Sequence, residues 1–321
     1  MGFTCGICGN AGISKNIVAT EMMLGSGDEF EYTECSKCGC IQINEIPDNL
    51  SEYYPKDRYY SLADNNVKKC NPVKAFIKRA RAKYFFGENR NILGAVLCFF
   101  YRPRPIFWWL KDADVKLGSK ILDVGCGSGG LLLKLREEGF RENTFVGIDP
   151  FLENDIQYKN DVTVLKGKIY DIDEKFDLVM FHDSFEHMAD PLDVMGHLSY
   201  IVKAGGYVLI RMPIVSSYAW RKYNVNWVQF DAPRHLFLYT VKSVQILAEK
   251  SGFVLKNIKY DSSDFQFYGS ELYQRGISIK DTSRDAKSFF SKKTLKGFQQ
   301  MADHLNDLCE GDQAGFYLKK P

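Results

Sequence analysis

Residues 120–140 have the sequence KILDVGCGSGGLLLKLREEGF, and this stretch decides the fold. A short apolar run from Ile121 to Val124 ends in a loop with glycines at 125, 127, 129 and 130, and a helical pattern follows at once. Strand, glycine loop and helix in this order predict the start of a doubly wound parallel sheet. The glycines let the backbone approach a ligand, and the acidic Asp123 at the strand end argues against a pyrophosphate as that ligand.

Four more apolar runs continue the pattern, with helical stretches between them: TFVGID (144–149), VTVLKG (162–167), FDLVMFHD (176–183) and GYVLIRMP (206–213). The first of them ends in Asp149, which is placed to accept hydrogen bonds from both hydroxyls of a ribose. The late segment GDQAGFYLKK (311–320) predicts a reversed last strand. Residues 112–321 are therefore predicted to form one α/β domain.

The N-terminus carries a doubled Cys-x-x-Cys-Gly pattern. This spacing is typical of two metal-binding knuckles, because two thiolates of one turn can reach the same tetrahedral ion. Four thiolates leave the ion no open position, so the predicted site is structural. We expect residues 1–45 to form a small zinc-ribbon-like domain. The predicted zinc ligands are Cys5, Cys8, Cys35 and Cys38.

Residues 46–111 link the two domains and are rich in tyrosine, other aromatic residues and positive charge. From Val67 to Lys111 there are eleven Lys and Arg and a single acid, Glu88. Apolar residues from Val73 to Tyr84 follow helical spacing, which predicts a cap helix packed on the main domain with a solvated basic face. The alternative is that the basic and aromatic groups face a phosphate-bearing acceptor or an anionic membrane surface.

Composition excludes several classes of protein. Of the 321 residues, 45% are hydrophobic and 26% charged, which is an ordinary globular balance. The longest apolar run, 92–101, is closed by Arg-Pro-Arg-Pro and is too short to span a bilayer. The first ten residues lack the basic and apolar regions of a secretion signal, so we expect a cytoplasmic protein. A net charge of +2 is modest for a protein that binds nucleic acid, so we do not expect nucleic acid to be a partner.

Taken together, residues from about Gly118 to Pro213 resemble a class I S-adenosylmethionine-dependent methyltransferase. The Asp123-x-Gly-x-Gly-x-Gly loop resembles that family's cofactor loop, Asp149 its ribose-binding acid, and DLVMFHDSFEHMADP (177–191) its fourth-strand motif. The resemblance implies a Rossmann-like, seven-stranded sheet whose last strand is antiparallel. It also implies a set of residues that bind S-adenosylmethionine. These are Asp123, Gly125, Cys126, Gly127, Gly129, Asp149, Pro150, Ile169, Asp183 and Ser184. Lys168 departs from the family, in which many relatives have an acid that contacts the adenine.

The flanking segments extend the resemblance to sugar methyltransferases. A four-cysteine unit followed by a Tyr-rich stretch (Tyr53, Tyr54, Tyr59, Tyr60) is similar to enzymes that act on nucleotide-linked deoxysugars. DAPRHLFLYT (231–240) resembles a substrate-side insertion, here about 214–240, of methyltransferases associated with surface-polysaccharide biosynthesis. The acceptor implied is a sugar, nucleotide sugar or glycan, with or without a phosphate or lipid carrier.

Methyl transfer to a hydroxyl needs a base, and histidines at the carboxyl edge of the sheet are the candidates. His187 follows the fourth strand beside Glu186, and His235 lies in the insertion; we expect these three residues to be catalytic. The neighbouring Arg234 is either a partner of Glu186 or Asp231, or a clamp for an acceptor phosphate. A C-methyl reaction, an RNA or protein acceptor recognised through the zinc knuckle, and a domain that has lost catalysis are the alternatives.

Overall fold

The computed structural model of the protein describes residues 3–12, 14–55, 71–86, 92–100, 105–280 and 286–321. Tyr59 and Tyr60 of the Tyr-rich stretch lie outside these residues. The described strands are β1 (Ser14–Thr20), β2 (Glu29–Cys35), β3 (Ile41–Ile43), β4 (Lys120–Val124), β5 (Thr144–Asp149), β6 (Ile156–Tyr158), β7 (Val162–Lys166), β8 (Phe176–His182), β9 (Val202–Pro213), β10 (Phe237–Leu238), β11 (Val254–Tyr260) and β12 (Gln313–Lys319). The described helices are α1 (Pro72–Phe86), α2 (Ile92–Phe100), α3 (Pro105–Asp112), α4 (Gly130–Glu137), α5 (Pro191–Ile201), α6 (Tyr218–Tyr223), α7 (Val241–Lys250), α8 (Phe265–Gln274) and α9 (Lys292–Asp307).

The large sheet has the order β11-β12-β9-β8-β4-β5-β7-β6. Its five central strands are parallel, as the alternation of apolar runs and helices predicts. The last strand, β12, lies antiparallel between β9 and β11, which confirms the reversed last strand. Strands β4 and β8 are adjacent, and the chain order reverses there, so their carboxyl ends open the crevice in which ligands of such sheets bind.

The sheet has eight strands where the resemblance implies seven. The additional strand is β6, which pairs antiparallel with β7 at the edge. A three-residue strand is too short to show a period of two, so no sequence pattern predicts it. Its Tyr158 hydroxyl donates to the carbonyl of Ser128 at 2.7 Å, which ties this edge to the glycine loop.

The N-terminal strands form a second, four-stranded sheet of order β1-β2-β3-β10. Its fourth strand, β10, comes from the predicted insertion and pairs Phe237 with Gln42 and Leu238 with Ile41. Tyr32 is fully buried and donates from its hydroxyl to the carbonyl of His235 at 3.1 Å. The cysteine unit and the insertion therefore share one sheet. A single cluster of buried apolar residues extends from the cysteine unit into the large domain.

The segment between the two sheets supplies three helices. Helix α1 covers the predicted cap helix and crosses the large domain at Gly139, where a Cβ atom would come within 2.8 Å of the Arg79 backbone. Phe86, Phe107 and Phe140 pack together beneath it, with ring centroids 4.9 to 5.5 Å apart. None of the helices within the described residues is long and apolar enough to cross a membrane.

Candidate active site

The glycine loop passes tightly between the ends of three strands. Gly125 has φ +73°, and its N–H donates to the carbonyl of Ile148 at 2.8 Å. A Cβ atom on Gly125 would lie 2.5 Å from the Cβ of Ser184, and the Ser184 hydroxyl donates to the carbonyl of Val124 at 2.6 Å. Only glycine fits this position, because it combines a left-handed backbone with a close contact.

Asp149 holds the loop from the end of β5. Its Oδ2 accepts from the N–H of Gly127 at 2.8 Å, and its Oδ1 accepts from the N–H of Phe151 at 2.9 Å. Burial raises the pKa of this carboxyl, and the two amides act against that shift. Both oxygens are thereby fixed in orientation, and each retains a lone pair that can accept from a ribose hydroxyl.

Asp123 lies under the same loop, and 2% of its surface is exposed. Its Oδ1 has no hydrogen-bond partner among the described residues. Burial, and then the charge of Asp149, raise the pKa of Asp123 to about 7. Two carboxylates at one glycine loop fit a cationic ligand that carries hydroxyls, and they repel a pyrophosphate. S-adenosylmethionine, with its sulfonium, ammonium and ribose, has this chemistry.

The other predicted cofactor residues divide into two groups. Cys126 packs over Gly147, Ser184 contacts the loop, and Ile169 is buried beyond β7. Asp183 makes a different contact. It has φ +54°, and its carboxylate pairs with Arg211 at 3.0 Å.

Arg211 and Asp183 line a cavity of about 140 Å³ at the carboxyl ends of β8 and β9. Its walls come from distant parts of the chain: Asp183, Arg211, Gln229, Asp261, Ser263, Phe265, Gln266, Asp312 and Gln313. The Arg211 Nε donates to Asp261 Oδ2 at 2.7 Å, so two carboxylates compensate the one cation. Asp261 Oδ1 and Gln266 Oε1 are buried without a hydrogen-bond partner among the described residues. Most of this set was missed by the sequence analysis because these residues share no motif.

The three predicted catalytic residues, His187, His235 and Glu186, are brought together. The imidazole centroids of His187 and His235 are 4.8 Å apart, and His235 Nε2 lies 3.8 Å from Glu186 Oε1. Glu186 is 1% exposed, and both of its carboxyl oxygens lack a hydrogen-bond partner among the described residues. Burial raises the pKa of Glu186 well above its ordinary value and lowers that of His235 to about 4.

The two histidines differ in what their ring nitrogens can do. His187 Nδ1 lies 2.8 Å from the carbonyl oxygen of Arg234 and 3.1 Å from the Tyr54 hydroxyl. A carbonyl only accepts, so Nδ1 carries the hydrogen and Nε2 of the neutral ring has the free lone pair. His235 Nδ1 donates in the same way to the carbonyl of Gln229, but its Nε2 is enclosed by the carboxyl groups of Glu186 and Asp231.

Arg234 has a structural position and does not clamp a phosphate. It is 1% exposed and pairs with Asp231 at 2.6 Å and with Glu21 of the N-terminal unit at 2.8 Å. Of the alternatives from the sequence, the pairing with Asp231 is the one observed. Buried ion pairs of this kind fix one arrangement of the elements they join, here the insertion and the cysteine unit.

The four N-terminal cysteines converge on one point. Cys5 Sγ lies 3.6 Å from Cys38 Sγ, Cys8 Sγ lies 3.6 Å from Cys35 Sγ, and all four sulfurs are within 4.8 Å of one another. The two knuckles are built alike. The N–H of Gly9 donates to the carbonyl of Cys5, and the N–H of Gly39 donates to that of Cys35.

The order of the sheet, its reversed last strand and the glycine loop define a class I S-adenosylmethionine-dependent methyltransferase domain. The profile of a family described as "Methyltransferase domain" matches residues 92–257, more than half of the 321 residues. The chain belongs to this family of methyltransferase domains.

Several known proteins are similar to the chain. A ubiquinone biosynthesis O-methyltransferase of Vibrio parahaemolyticus is 31% identical over 117 residues, which cover 33% of this chain and 48% of that protein. One of Pseudomonas putida is 32% identical over 111 residues, which cover 31% and 47%. The chain thus spans about half the length of the curated relatives it matches.

Solved structures align over more of the chain at lower identity. The cyclopropane synthase MmaA2 from Mycobacterium tuberculosis aligns with a TM-score of 0.44 and 16% identity, covering 77% of this chain and 98% of that one. Phosphoethanolamine N-methyltransferase 2 of Haemonchus contortus, in complex with S-adenosyl-L-methionine, aligns with a TM-score of 0.41 and 18% identity, covering 91% and 64%.

Proposed function

We propose that this protein transfers the methyl group of S-adenosylmethionine to a hydroxyl of a sugar, nucleotide sugar or glycan in surface-polysaccharide biosynthesis. The cofactor lies over Gly125 and Gly127 and against Asp149 at the carboxyl edge of the sheet. The proposal that the acceptor is a sugar rests on the chemistry of the residues that line the 140 Å³ cavity beside that edge.

Two residues of the cavity lining carry hydrogen-bond acceptors that need donors. Asp261 Oδ1 and Gln266 Oε1 are buried without partners, and leaving such atoms unsatisfied is costly. A sugar offers several hydroxyl donors on one ring, whereas a phosphate or a ketone offers none. Arg211 is already paired with Asp183 and Asp261, so its charge is not available to bind a phosphate. The cavity therefore favours the sugar ring itself. A phosphate of a carried sugar would lie outside it.

His187 is the base in this proposal. The acceptor oxygen attacks the methyl carbon, the bond from that carbon to sulfur breaks, and the sulfonium becomes a neutral thioether. The hydroxyl proton passes to Nε2 of His187, which follows the cavity residue Asp183 by four positions. The hydrogen bond from Nδ1 to the carbonyl of Arg234 keeps Nε2 available. Glu186 and His235 lie behind this ring and position it. The O-methyltransferase names of the similar Vibrio and Pseudomonas proteins support transfer to oxygen.

Incubation with labelled S-adenosylmethionine and separate pools of nucleotide sugars, lipid-linked glycans and total RNA tests this function. We expect label in one of the two sugar pools, in an alkali-stable methyl ether. The variant Gln266→Leu is expected to raise the acceptor KM about tenfold and to leave cofactor affinity unchanged, because one hydrogen bond of the cavity is lost. Gln245→Leu, on the exposed face of α7, is the matched control.

Two results would contradict the proposal. Label in RNA alone would reject the sugar acceptor, and label on a ring carbon would assign the C-methyl reaction.

We also propose that the four cysteines hold one structural zinc ion. A tetrahedron with zinc–sulfur bonds of about 2.3 Å has edges of about 3.8 Å, close to the two measured sulfur separations. Four protein ligands give a closed site with no place for a substrate.

Protein purified without added zinc is expected to carry one zinc ion per chain, and Cys35→Ser is expected to lose it. The physical reason is that a structural ion supplies folding free energy to the unit that binds it, here about the first 45 residues. Metal analysis by mass spectrometry is the measurement, with the exposed Cys309→Ser as control. A metal content well below one per chain, or full retention in Cys35→Ser, would reject the site.

A further inference from the structure

Helices α1 and α2 leave several large apolar side chains exposed to solvent. Phe76 on α1 is 60% exposed, and Ile92, Phe99 and Phe100 on α2 are 79%, 81% and 72% exposed. Helix α2 has no charged residue along its length, ILGAVLCFF. Large contiguous apolar surfaces of this kind mark interaction sites.

The geometry of α2 fixes which of its sides is free. A Cβ atom on Gly94 would lie 2.5 Å from the carbonyl oxygen of Ala80, and Cys98 Sγ lies 4.0 Å from the carbonyl oxygen of Arg81. Residues 94 and 98 therefore face α1. Ile92, Val96 and Phe99 have the spacing i, i+4 and i+7, which places them together on the opposite side of the helix.

The segment that contains this apolar side is rich in positive charge. Residues 67–111 contain eleven Lys and Arg and one acid. On α1, Lys78 and Arg79 are directed to the large domain, where they pair with Glu138 at 3.2 Å and with Glu142 at 2.8 Å. Lys83 also lies 3.7 Å from Glu142. Lys74 is exposed, and Lys111 of α3 lies 5.7 Å from the ring of Trp108, which is itself 47% exposed.

We infer that the exposed side of the α1–α2 helix pair, together with Trp108, docks on the surface of an anionic lipid bilayer. Aromatic and aliphatic side chains with a flanking excess of Lys and Arg form the pattern of a helix that lies in the membrane interface. At about 1.5 Å per residue, α2 is roughly 13 Å long, so it lies on the bilayer and does not span it.

A second copy of the chain fits this surface less well than a bilayer does. A symmetric dimer would bring two segments with ten excess positive charges each against one another, which disfavours association. Anionic lipids supply the opposite charge. The inference does not depend on the acceptor proposed above. It is also consistent with that acceptor, because the ring of Trp109 on α3 lies 5.3 Å from the guanidinium of Arg211 in the cavity wall.

The test is co-sedimentation of the full chain with vesicles of phosphatidylcholine alone and of phosphatidylcholine with about one-third phosphatidylglycerol. We expect binding to the anionic vesicles, weaker binding to the neutral ones, and weakening by high salt. The double variant F99S/F100S should bind at least about tenfold more weakly, because two large apolar groups no longer enter the interface. F289S, which replaces another half-exposed phenylalanine, should bind as the wild type does.

Calorimetry with S-adenosylmethionine checks that the variants are folded, and sedimentation velocity reports the oligomeric state. No binding to the anionic vesicles would overturn the inference. Equal binding of F99S/F100S would also overturn it, as would a wild-type dimer that this variant abolishes.

Discussion

Replacing His187 with alanine is expected to lower turnover by about 10²- to 10⁴-fold and to leave the affinity for S-adenosylmethionine unchanged. The ring is the one partly exposed histidine of the cluster, and its Nδ1 is already committed to the carbonyl oxygen of Arg234. Its Nε2 is therefore the atom that can take the proton of the acceptor. The variant loses that atom and keeps the residues of the glycine loop.

His187→Asn separates the chemical role from the structural one. An asparagine amide can still donate to the Arg234 carbonyl, but it cannot act as a base, so turnover should fall as in the alanine variant. His197→Ala is the matched control, because His197 lies on α5 and its Nε2 bonds the carbonyl of Ile172. If both His187 variants retain turnover within about threefold, and His235→Ala does not, the base is His235.

The pH profile of the wild type should report the same residue. Burial lowers the pKa of His187 below its ordinary value of 6.5. The base works as the neutral ring, which exists above that pKa, so activity should persist on acidification until the pH falls below the usual histidine range. The acid limb of kcat/KM should accordingly have its midpoint below 6.5.

Replacing Asp149 with alanine is expected to weaken S-adenosylmethionine binding about a hundredfold or more. In the proposed binding mode the carboxylate accepts two charge-assisted hydrogen bonds from the ribose, each worth about 1.5 to 3 kcal/mol. It also accepts from the N–H groups of Gly127 and Phe151, so the loop itself loses its anchor.

Titration calorimetry measures this loss directly. Asp173→Ala removes an exposed carboxylate at the turn before β8 and should bind the cofactor as the wild type does. Unchanged affinity in Asp149→Ala would mean that the ribose lies elsewhere.

The sequence was sufficient wherever the information is local. The strand, glycine loop and helix from Ile121 onward are encoded in one continuous stretch, because Gly125, Gly127 and Gly129 each have a positive φ that favours glycine. The same holds for the cysteine knuckles, whose Cys-x-x-Cys-Gly spacing specifies the turn and the direction of both sulfurs. These patterns predicted the α/β fold, the reversed last strand and the convergence of the four thiols.

Only the tertiary structure decided features that depend on pairing between distant segments. Asp183 follows a motif strand, and its carboxylate pairs with Arg211, which lies on another strand. Arg234 joins Asp231 to Glu21, more than two hundred residues away, and β10 completes the sheet of the cysteine unit. No periodicity in the sequence encodes either contact.

The cavity at the ends of β8 and β9 shows the physical reason for this division. Its walls bring together residues from 183 to 313, and apart from Asp183 at the end of a motif strand no local pattern reveals them. Backbone geometry is fixed by a residue and its near neighbours, so the sequence determined the sheet, the glycine loop and the cysteine turns. Side-chain partners are fixed by which segments fold against one another, so the tertiary structure alone decided the cavity, the enclosed His235 and the available Nε2 of His187.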